Sequence, residues 1–338
     1  MIHYLYSPNH VRHHPPHEVY NGDHDTAQEI PDRASNIWKA LIREKFNRVK
    51  QSVPVPRAIL NKIHSKKYLN FFKTTCENLE TSEHLYPSVW SYNPSAQYPP
   101  NGSRVALLGN YIFDTYTPLL PNTYAVALDS ASLAYTAANL IRANTEQTYY
   151  ALCRPPGHHA EYTMAGGYCY INNAAVAAQY LSKYGKVATL DVDFHHGNGT
   201  QHIFYERSDV FTVSIHADPL WKFPFFSGFS KEIGTGKGEG FNRNFPLQKG
   251  TSNRLYDVIL RQALGEILTF RPDFLVLSYG ADTHISDPIG GFLLSTEYFT
   301  QMGKRIKSLR LPTMIVQEGG YNNEHLGKNV TAFLKGFV

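Results

Sequence analysis

The chain has 338 residues, of which 42% are hydrophobic and 18% charged, a composition typical of a globular protein with a substantial core. Its 32 basic and 28 acidic residues give a formal net charge of +4, which is too balanced to indicate a nucleic-acid partner. Three cysteines without a CxxC pair fit a reducing compartment. Because the sequence has neither an apolar run of about 18 residues nor a secretory signal, we expect a cytoplasmic protein with no membrane association.

Short apolar runs alternate along the chain with longer segments of helical period. The runs are continuously apolar, which indicates parallel strands that are covered on both faces. We therefore predict one α/β domain over residues 1–338, with three layers and a doubly wound, mostly parallel sheet. Strands are predicted at 2–6, 148–153, 187–192, 210–216, 274–280 and 313–319, and helices at 34–46, 67–80, 123–144, 171–184, 253–270, 295–309 and 323–335.

A long insertion at 81–122 departs from this pattern, because it is dense in proline, serine, asparagine and aromatic residues. It is too long for an ordinary connection and too aromatic for a flexible linker, so we interpret it as a functional or interface loop. Its apolar side chains predict that it forms the interface of a homodimer. The residues that carry this prediction are Tyr86, Val89, Trp90, Tyr92 and Tyr98.

The stretch "LDVDFHHGNGTQ" at 190–201 places several ionisable side chains where a predicted buried strand ends. In extended chain Asp193 and His195 point to the same side and can share one metal ion, and Asp191 lies further down that side. Asp282 ends another apolar run and supplies a third ligand. Such a set suits Zn²⁺, with Fe²⁺ or Mn²⁺ as alternatives. The competing interpretation is that the aspartates cap a helix and the histidines are exposed in a loop.

Two further stretches follow the ends of predicted strands, "RPPGHHA" at 154–160 and "QEGGYNN" at 317–323. The turn before His158 and His159 allows both rings to enter one pocket, where they could act as general base and general acid. Tyr321 could donate its hydroxyl to a developing oxyanion. Considered singly, a packed histidine pair and an ordinary turn tyrosine remain alternatives. Because ligands bind at the carboxyl ends of parallel strands, all of these stretches are candidates for one site.

Together, the motifs closely resemble the histone deacetylase family of the arginase–deacetylase superfamily and, within it, the bacterial acetylpolyamine amidohydrolases. The resemblance covers nearly the whole chain and implies the arginase–deacetylase fold. The segments that carry it, in family order, are "LCRPPGHHA", "GGYCYINNAAVAAQ", "LDVDFHHGNGTQHIFYERSDVFTVSIHADP", "GADTHISDPIGGFLLS" and "EGGYN".

The resemblance implies a role for each candidate residue. It implies that Asp193, His195 and Asp282 bind the metal. His159 would be the principal general base and acid, with His158 an electrostatic helper. Tyr321 would polarise the acetyl carbonyl. A buried monovalent cation, usually K⁺, would be held by Asp191, Ser214 and the backbone carbonyls of Asp193 and His195.

The resemblance also implies which residues surround the catalytic group. Asp191 would orient His158. Asn198 stands where many family members carry an aspartate, and an amide should leave His159 less basic than a carboxylate would. Glu18 matches an acidic residue at the mouth of the site, and Ile289 is apolar where a carboxylate could have gated a longer polyamine. The remaining walls of a narrow alkyl tunnel would be Gly167, Tyr168, His196 and Phe225.

The implied function is hydrolysis of small acetylated amines such as acetylputrescine or acetylcadaverine, with the insertion dimerising and narrowing the mouth against folded proteins. Within "NGSRVALLGNYIFDTYT" only Asp114 is acidic, with Arg104 and Tyr116 nearby, so attraction for a long polycation is weaker than in the polyamine enzymes. The first alternative is a protein or peptide lysine deacetylase. A non-catalytic acetyl-amine binding protein is the second, and two-metal ureohydrolase chemistry is disfavoured because three ligands serve one metal.

Overall fold

The computed structural model describes residues 2–91 and 102–338, and in these residues the chain forms one large sheet and a small hairpin. The strands are β1 (Ile2–Leu5), β2 (Glu18–Tyr20), β3 (Asp23–Asp25), β4 (Asn47–Arg48), β5 (Thr148–Ala151), β6 (Val187–Asp191), β7 (Val210–Ala217), β8 (Asn242–Leu247), β9 (Phe274–Tyr279) and β10 (Thr313–Gln317).

The large sheet has eight strands in the order β4-β1-β5-β10-β9-β6-β7-β8. Every neighbouring pair in it is parallel, whereas the hairpin of β2 and β3 is antiparallel. The strands β5, β10, β9 and β6 are adjacent at its centre, so the loops that follow their carboxyl ends meet at one edge.

Helices cover both faces of this sheet. The strands alternate their side chains between two cores: Tyr149 and Val276 belong to one, and Tyr150 and Leu277 to the other. This is why the strands are apolar at every position rather than at every second one. The helices are α1 (Asp32–Arg43), α2 (Arg57–Ile63), α3 (Lys66–Glu77), α4 (Arg104–Tyr111), α5 (Thr123–Ala143), α6 (Asn173–Leu181), α7 (Asn198–Phe204), α8 (Asn253–Phe270), α9 (Thr296–Lys307) and α10 (Leu326–Lys335), with short 3₁₀ helices at Pro8–Arg12 and Gly236–Gly238.

All six predicted strands and all seven predicted helices are present, with ends shifted by a few residues. The strands β2, β3, β4 and β8 and the helices α2, α4 and α7 were not predicted. Strand β4 has only two residues, and β8, "NRNFPL", is a partly exposed edge strand without a continuous apolar run. Helix α7 follows Gly197 directly, and the Gly-Asn-Gly sequence is more typical of a loop.

The insertion at 81–122 is folded against itself where it is described. Leu85 and Leu119 pair their backbones near its two ends, with N–H···O distances of 2.9 Å. Helix α4 packs so closely on the segment before it that a Cβ on Gly109 would lie 1.8 Å from the Val89 carbonyl oxygen. The Trp90 indole donates to the carbonyl of Ile112. Tyr92 and Tyr98, which contributed to the dimer prediction, lie outside the described residues.

Within residues 2–91 and 102–338, no helix combines the length and the apolar character that crossing a bilayer would require.

Candidate active site

The four motifs that follow β5, β6, β9 and β10 meet in one buried cluster. At its centre one ligand atom from each of Asp193, His195 and Asp282 lies within 4.8 Å of the others, and all three side chains are buried. Each carboxylate accepts a hydrogen bond from the loop of another strand. The Gly319 N–H donates to Asp193 Oδ2 at 2.7 Å, and the Phe194 N–H donates to Asp282 Oδ1 at 3.1 Å.

Two glycines leave room for these carboxylates. A Cβ on Gly280 would lie 1.9 Å from Asp193 Oδ2, and one on Gly319 would lie 2.4 Å from Asp282 Oδ2. Burial, together with the charge of Asp193, raises the pKa of Asp282 to about 7. Two buried carboxylates and an imidazole are a donor set that fits a divalent transition metal, whose charge would offset theirs.

A second group of potential ligands, His158, Cys169 and Glu318, is equally close, with its atoms also within 4.8 Å. The Glu318 carboxylate already accepts hydrogen bonds from the Gly157 and His158 N–H groups and from the Ser278 hydroxyl. Burial raises the pKa of the Cys169 thiol well above its usual range, which disfavours the thiolate that a metal requires. This group is therefore accounted for by internal hydrogen bonds.

The adjacent histidines have opposite environments. The His158 Nδ1 lies 2.9 Å from Asp191 Oδ2. Burial lowers the pKa of His158, but the carboxylates of Asp191 and Asp193 outweigh it and raise the pKa to about 10. For His159, burial and the nearby His158 hold the pKa well below its usual range. The hydrogen bond to Asn198 acts in the opposite direction and raises the pKa of His159. That a carboxylate at position 198 would make His159 more basic stays a prediction.

Asn198 holds the His159 ring through a 2.7 Å contact between Asn198 Oδ1 and His159 Nδ1. An amide oxygen only accepts, so Nδ1 carries the proton and Nε2 is the nitrogen available to take another. The edge of the same ring is covered closely by Gly167, whose backbone has a positive φ of 55°, and a Cβ there would lie 2.3 Å from His159 Cδ2. Only glycine fits this position.

Tyr321 is positioned by groups on both sides of its turn. Its N–H donates to Asp287 Oδ2 at 2.7 Å, and the Arg33 guanidinium lies 4.5 Å from the centre of its ring. Arg33 is fully buried and also donates to the carbonyls of Gly320 and Glu318. Burial raises the pKa of Tyr321 well above its usual range, so its hydroxyl keeps the proton that it can donate. Arg33 was not predicted, because 287 residues separate it from Gly320.

Comparison with known proteins agrees with this geometry. The model of the histone deacetylase domain matches residues 27–337. The chain is 38% identical to acetylpolyamine amidohydrolase 1 of Pseudomonas aeruginosa and 38% identical to the acetylpolyamine amidohydrolase of Mycoplana ramosa, with 98% of both chains covered in each case. The crystal structure of an acetylpolyamine aminohydrolase from Burkholderia pseudomallei superposes with a TM-score of 0.93 at 36% identity, covering 100% of this chain and 98% of that one.

The chain belongs to the histone deacetylase family. The predicted family, the predicted fold class and the prediction of a deacetylase-type hydrolase are confirmed.

The mouth of this deacetylase-family site is built by the hairpin, the insertion and the loop after Gly166. Glu18, at the start of β2, accepts hydrogen bonds from the Tyr168 hydroxyl at 2.9 Å and from the Gln28 N–H at 3.2 Å. Asp114 accepts from the N–H groups of Gly167 and Tyr116, and burial raises its pKa to about 6. Both predicted acidic residues are therefore close to the site, but Oε2 of Glu18 and both oxygens of Asp114 already accept hydrogen bonds from the protein.

Two predicted tunnel residues have different surroundings. His196 is buried against His216, with ring centres 4.3 Å apart, and Phe225 is 47% exposed, with its ring centre 6.5 Å from that of Phe223. Phe223, which was not predicted, packs its ring edge against His159 at 4.9 Å. His196 also lines a small cavity together with Asp191 and Ser214, whereas His195 belongs to the metal-type ligand set. The predicted wall residues Gly167 and Tyr168 do lie at the site.

Ile289 is half-buried, and its N–H donates to Asp287 Oδ1 at 3.1 Å, so it lies in the loop that also supports Tyr321. On the other side of the cluster, Asp191 and Ser214 are register partners on β6 and β7. Both line an internal cavity of about 10 Å³. A cavity of this size has room for about one small bound species.

We expect the space left by Gly280 and Gly319 to be required for high metal affinity. Gly280→Ala should weaken Zn²⁺ binding by at least about tenfold, as for other changes that displace a ligand from its support, because the new methyl displaces Asp193. Competition with a chromophoric chelator measures this affinity. Gly265→Ala is the matched control, since its Cβ meets no atom within 4 Å and it lies in helix α8. Equal Zn²⁺ affinity in both variants would contradict the assigned metal site.

Proposed function

We propose that this protein is a metal-dependent amidohydrolase that removes acetyl groups from small acetylated amines, such as acetylputrescine or acetylcadaverine. The proposal depends on three kinds of group that meet in one buried site. His159 is a base with Nε2 available, and Tyr321 is a hydroxyl donor. The carboxylates of Asp193 and Asp282 belong to a ligand set that fits a metal. The relatives named as acetylpolyamine amidohydrolases support the same substrate class.

Asp193, His195 and Asp282 would hold the metal, for which we propose Zn²⁺, with Fe²⁺ or Mn²⁺ as alternatives. When bound, such an ion supplies Lewis acidity to the acetyl carbonyl and lowers the pKa of water. His159 accepts a proton from the attacking water through Nε2, while Tyr321 donates a hydrogen bond to the developing oxyanion. His159 then returns that proton to the leaving amine. The products are acetate and the free amine.

The charge of His158 has a separate role in this proposal. Asp191 and Asp193 keep it protonated, so it does not compete with His159 for the proton of water. A fixed positive charge beside the carboxylates also favours their ionised forms. In many active sites, different environments shift the pKa values of two ionisable groups apart, so that one is protonated and the other can act as a base.

We also propose a structural K⁺ held by Asp191, Ser214 and the backbone carbonyls of Asp193 and His195. The internal cavity that Asp191 and Ser214 line supports this assignment, because a carboxylate, a hydroxyl and carbonyls are the hard oxygen ligands that such a cation requires.

The narrow mouth supports a small substrate. The rings of Tyr168 and Tyr321 are 5.7 Å apart, and those of Tyr116 and Phe223 are 6.2 Å apart. Phe113 from the insertion stacks on Phe223. Rings at these separations pack against each other and give the site an apolar, aromatic border, which favours an unbranched alkyl chain, whereas a folded protein would have to present its acetyl-lysine past the insertion. Protein deacetylation is therefore the second candidate.

Loss of one hydroxyl should separate catalysis from binding. Tyr321→Phe should lower kcat for acetylcadaverine by about two orders of magnitude or more, as for one lost oxyanion donor, with the metal content unchanged. Tyr162→Phe, at an exposed tyrosine away from the cluster, is the matched control. Turnover of Tyr321→Phe close to that of the control, in protein prepared free of wild-type enzyme, would refute the role of Tyr321.

Substrate choice tests the small-amine proposal. We expect kcat/KM to be highest for acetylated diamines of four or five carbons, without a large gain for longer polyamines. Each exposed charge pair at the mouth contributes on the order of 1 kcal/mol or less, so added salt should lower kcat/KM only mildly. A parallel assay of acetylcadaverine, acetylspermidine, an acetyl-lysine peptide and an acetylated folded protein measures this. Higher kcat/KM on the folded protein would establish the second candidate instead.

We propose that the protein is a homodimer through the insertion at 81–122, since Val89 is 61% and Val105 44% exposed there. Light scattering at micromolar concentration should give twice the mass of one chain. Val89→Asp and Val105→Asp together should give a monomer, because two carboxylates would be desolvated in each copy of the interface. Val258→Asp, at a valine of similar exposure on α8, should leave the dimer intact. A monomeric wild-type protein would refute this interface.

A further inference from the structure

The contact between His159 and Asn198 continues outward to the protein surface. Asn198 Nδ2 donates to Glu161 Oε1 at 2.5 Å, and the His202 Nδ1 lies 2.8 and 2.9 Å from the two oxygens of the same carboxylate. Asn198 is buried, the Glu161 side chain is 18% exposed and that of His202 is 44% exposed. A buried catalytic ring is therefore connected by hydrogen bonds to a carboxylate near solvent.

Glu161 accepts the shorter of the two hydrogen bonds that orient the Asn198 amide, since the other, from Asn198 Nδ2 to the His159 carbonyl, is 3.4 Å long. An ionised carboxylate only accepts hydrogen bonds, so the amide must turn its NH₂ group toward Glu161 and its oxygen toward His159. In the reverse orientation two oxygens would meet at the Glu161 contact, and two N–H groups could meet at His159. Since the amide oxygen only accepts, the orientation in turn fixes the proton of His159 on Nδ1 and leaves Nε2 free.

Glu161 is itself held independently of its side chain. Its N–H donates to the Met164 carbonyl at 2.8 Å, and its carbonyl oxygen lies 2.7 Å from His64 Nδ1. Asn198 and His202 lie one turn apart on α7 and therefore present their side chains on the same face. The carboxylate of Glu161 bridges this turn. A substitution at 161 can thus change the charge and the hydrogen bonds of the side chain while the backbone keeps its anchors.

We propose that Glu161 is a positioning residue that acts through Asn198 and takes over the task of the aspartate that many deacetylases carry at position 198. Here the carboxylate reaches the His159 ring through the Asn198 amide. It orients the amide, polarises it and so strengthens the hydrogen bond that the amide oxygen accepts from His159. This inference rests on the proposed function, in which His159 is the base.

The sharpest test exchanges the carboxylate and the amide between positions 161 and 198. Glu161→Gln removes the charge and leaves a side chain that can both donate and accept, so it no longer dictates the direction of the amide. Asn198→Asp alone places two carboxylates in contact. In the double variant the new amide at 161 can donate to the new carboxylate at 198, which restores one carboxylate and one donor in reversed order. We expect each single variant to lower kcat by about tenfold, and the double variant to recover to within about threefold of wild type, as for strongly coupled neighbours.

The expected signature is confined to kcat, because none of these side chains lines the mouth. KM and the Kd of an unreactive substrate analogue should stay within about twofold of wild type, which a general loss of structure would not allow. Glu206→Gln is the matched control, since it removes an equal charge from an exposed position just beyond α7. It should retain wild-type kcat.

A second readout does not depend on turnover. In ¹⁵N spectra of histidine-labelled protein, the His159 signal (identified by its loss in His159→Gln) should show the proton on Nδ1 in wild type and in the double variant. In Glu161→Gln it should show a mixture of tautomers. Wild-type kcat and an unchanged tautomer in Glu161→Gln would overturn the proposal, as would a double variant as slow as the product of the single effects. If wild type proves inactive on acetylated amines, the proposed function fails while the tautomer result still decides the role of Glu161.

Discussion

The burial of two carboxylates beside each other is the constraint on which the site depends. Asp193 and Asp282 are both buried, and in such a place like charges are costly unless each is hydrogen-bonded and offset by opposite charge. The loop after β10 donates to the carboxylate that follows β6, and the loop after β6 donates to the one that follows β9. The carboxylates therefore tie together the loops of three adjacent strands. The strand order brings these loops together, and the glycines at 280 and 319 leave room for the two carboxylates of the metal-type ligand set.

The same constraint explains why so much of the molecule was predictable from its sequence. Strands that must place ionisable groups at their carboxyl ends, with helices on both faces, are continuous apolar runs followed by polar motifs, and β6, β9 and β10 all have this form. Elements away from the centre of the large sheet lack such a signal. The edge strand β8 contains asparagine, arginine and proline, and helix α7 begins after a glycine-rich turn, so neither could be inferred from local periodicity.

Some residues of the site could be predicted from the sequence, and others could not. Asp193 and His195 were predictable as a pair of ligands from their two-residue spacing. The chain bends at residues 193–195, and only the fold shows that the His196 ring packs on His216. Within "FPFF" the spacing does not distinguish Phe223 from Phe225, and only the folded loop places the former ring on His159. Arg33 and Glu161 act through contacts with residues 287 and 37 positions away. Such contacts leave no periodic trace in the sequence, and only the three-dimensional structure identifies them.

The acidic residues at the mouth attract a cation less than their presence in the sequence suggests, because they are engaged in hydrogen bonds within the protein. Asp114 is buried, uses its oxygens for the N–H groups of Gly167 and Tyr116, and therefore supports the loop that covers His159. Glu18 accepts from Tyr168 and Gln28, and burial raises its pKa, which weakens its hold on a distant ammonium group. Both carboxylates thus stabilise the shape of the entrance more than they attract a cation. Since the aromatic rings of Tyr168, Tyr116 and Phe223 border this entrance, we expect selection there to depend on the width of the substrate more than on its charge.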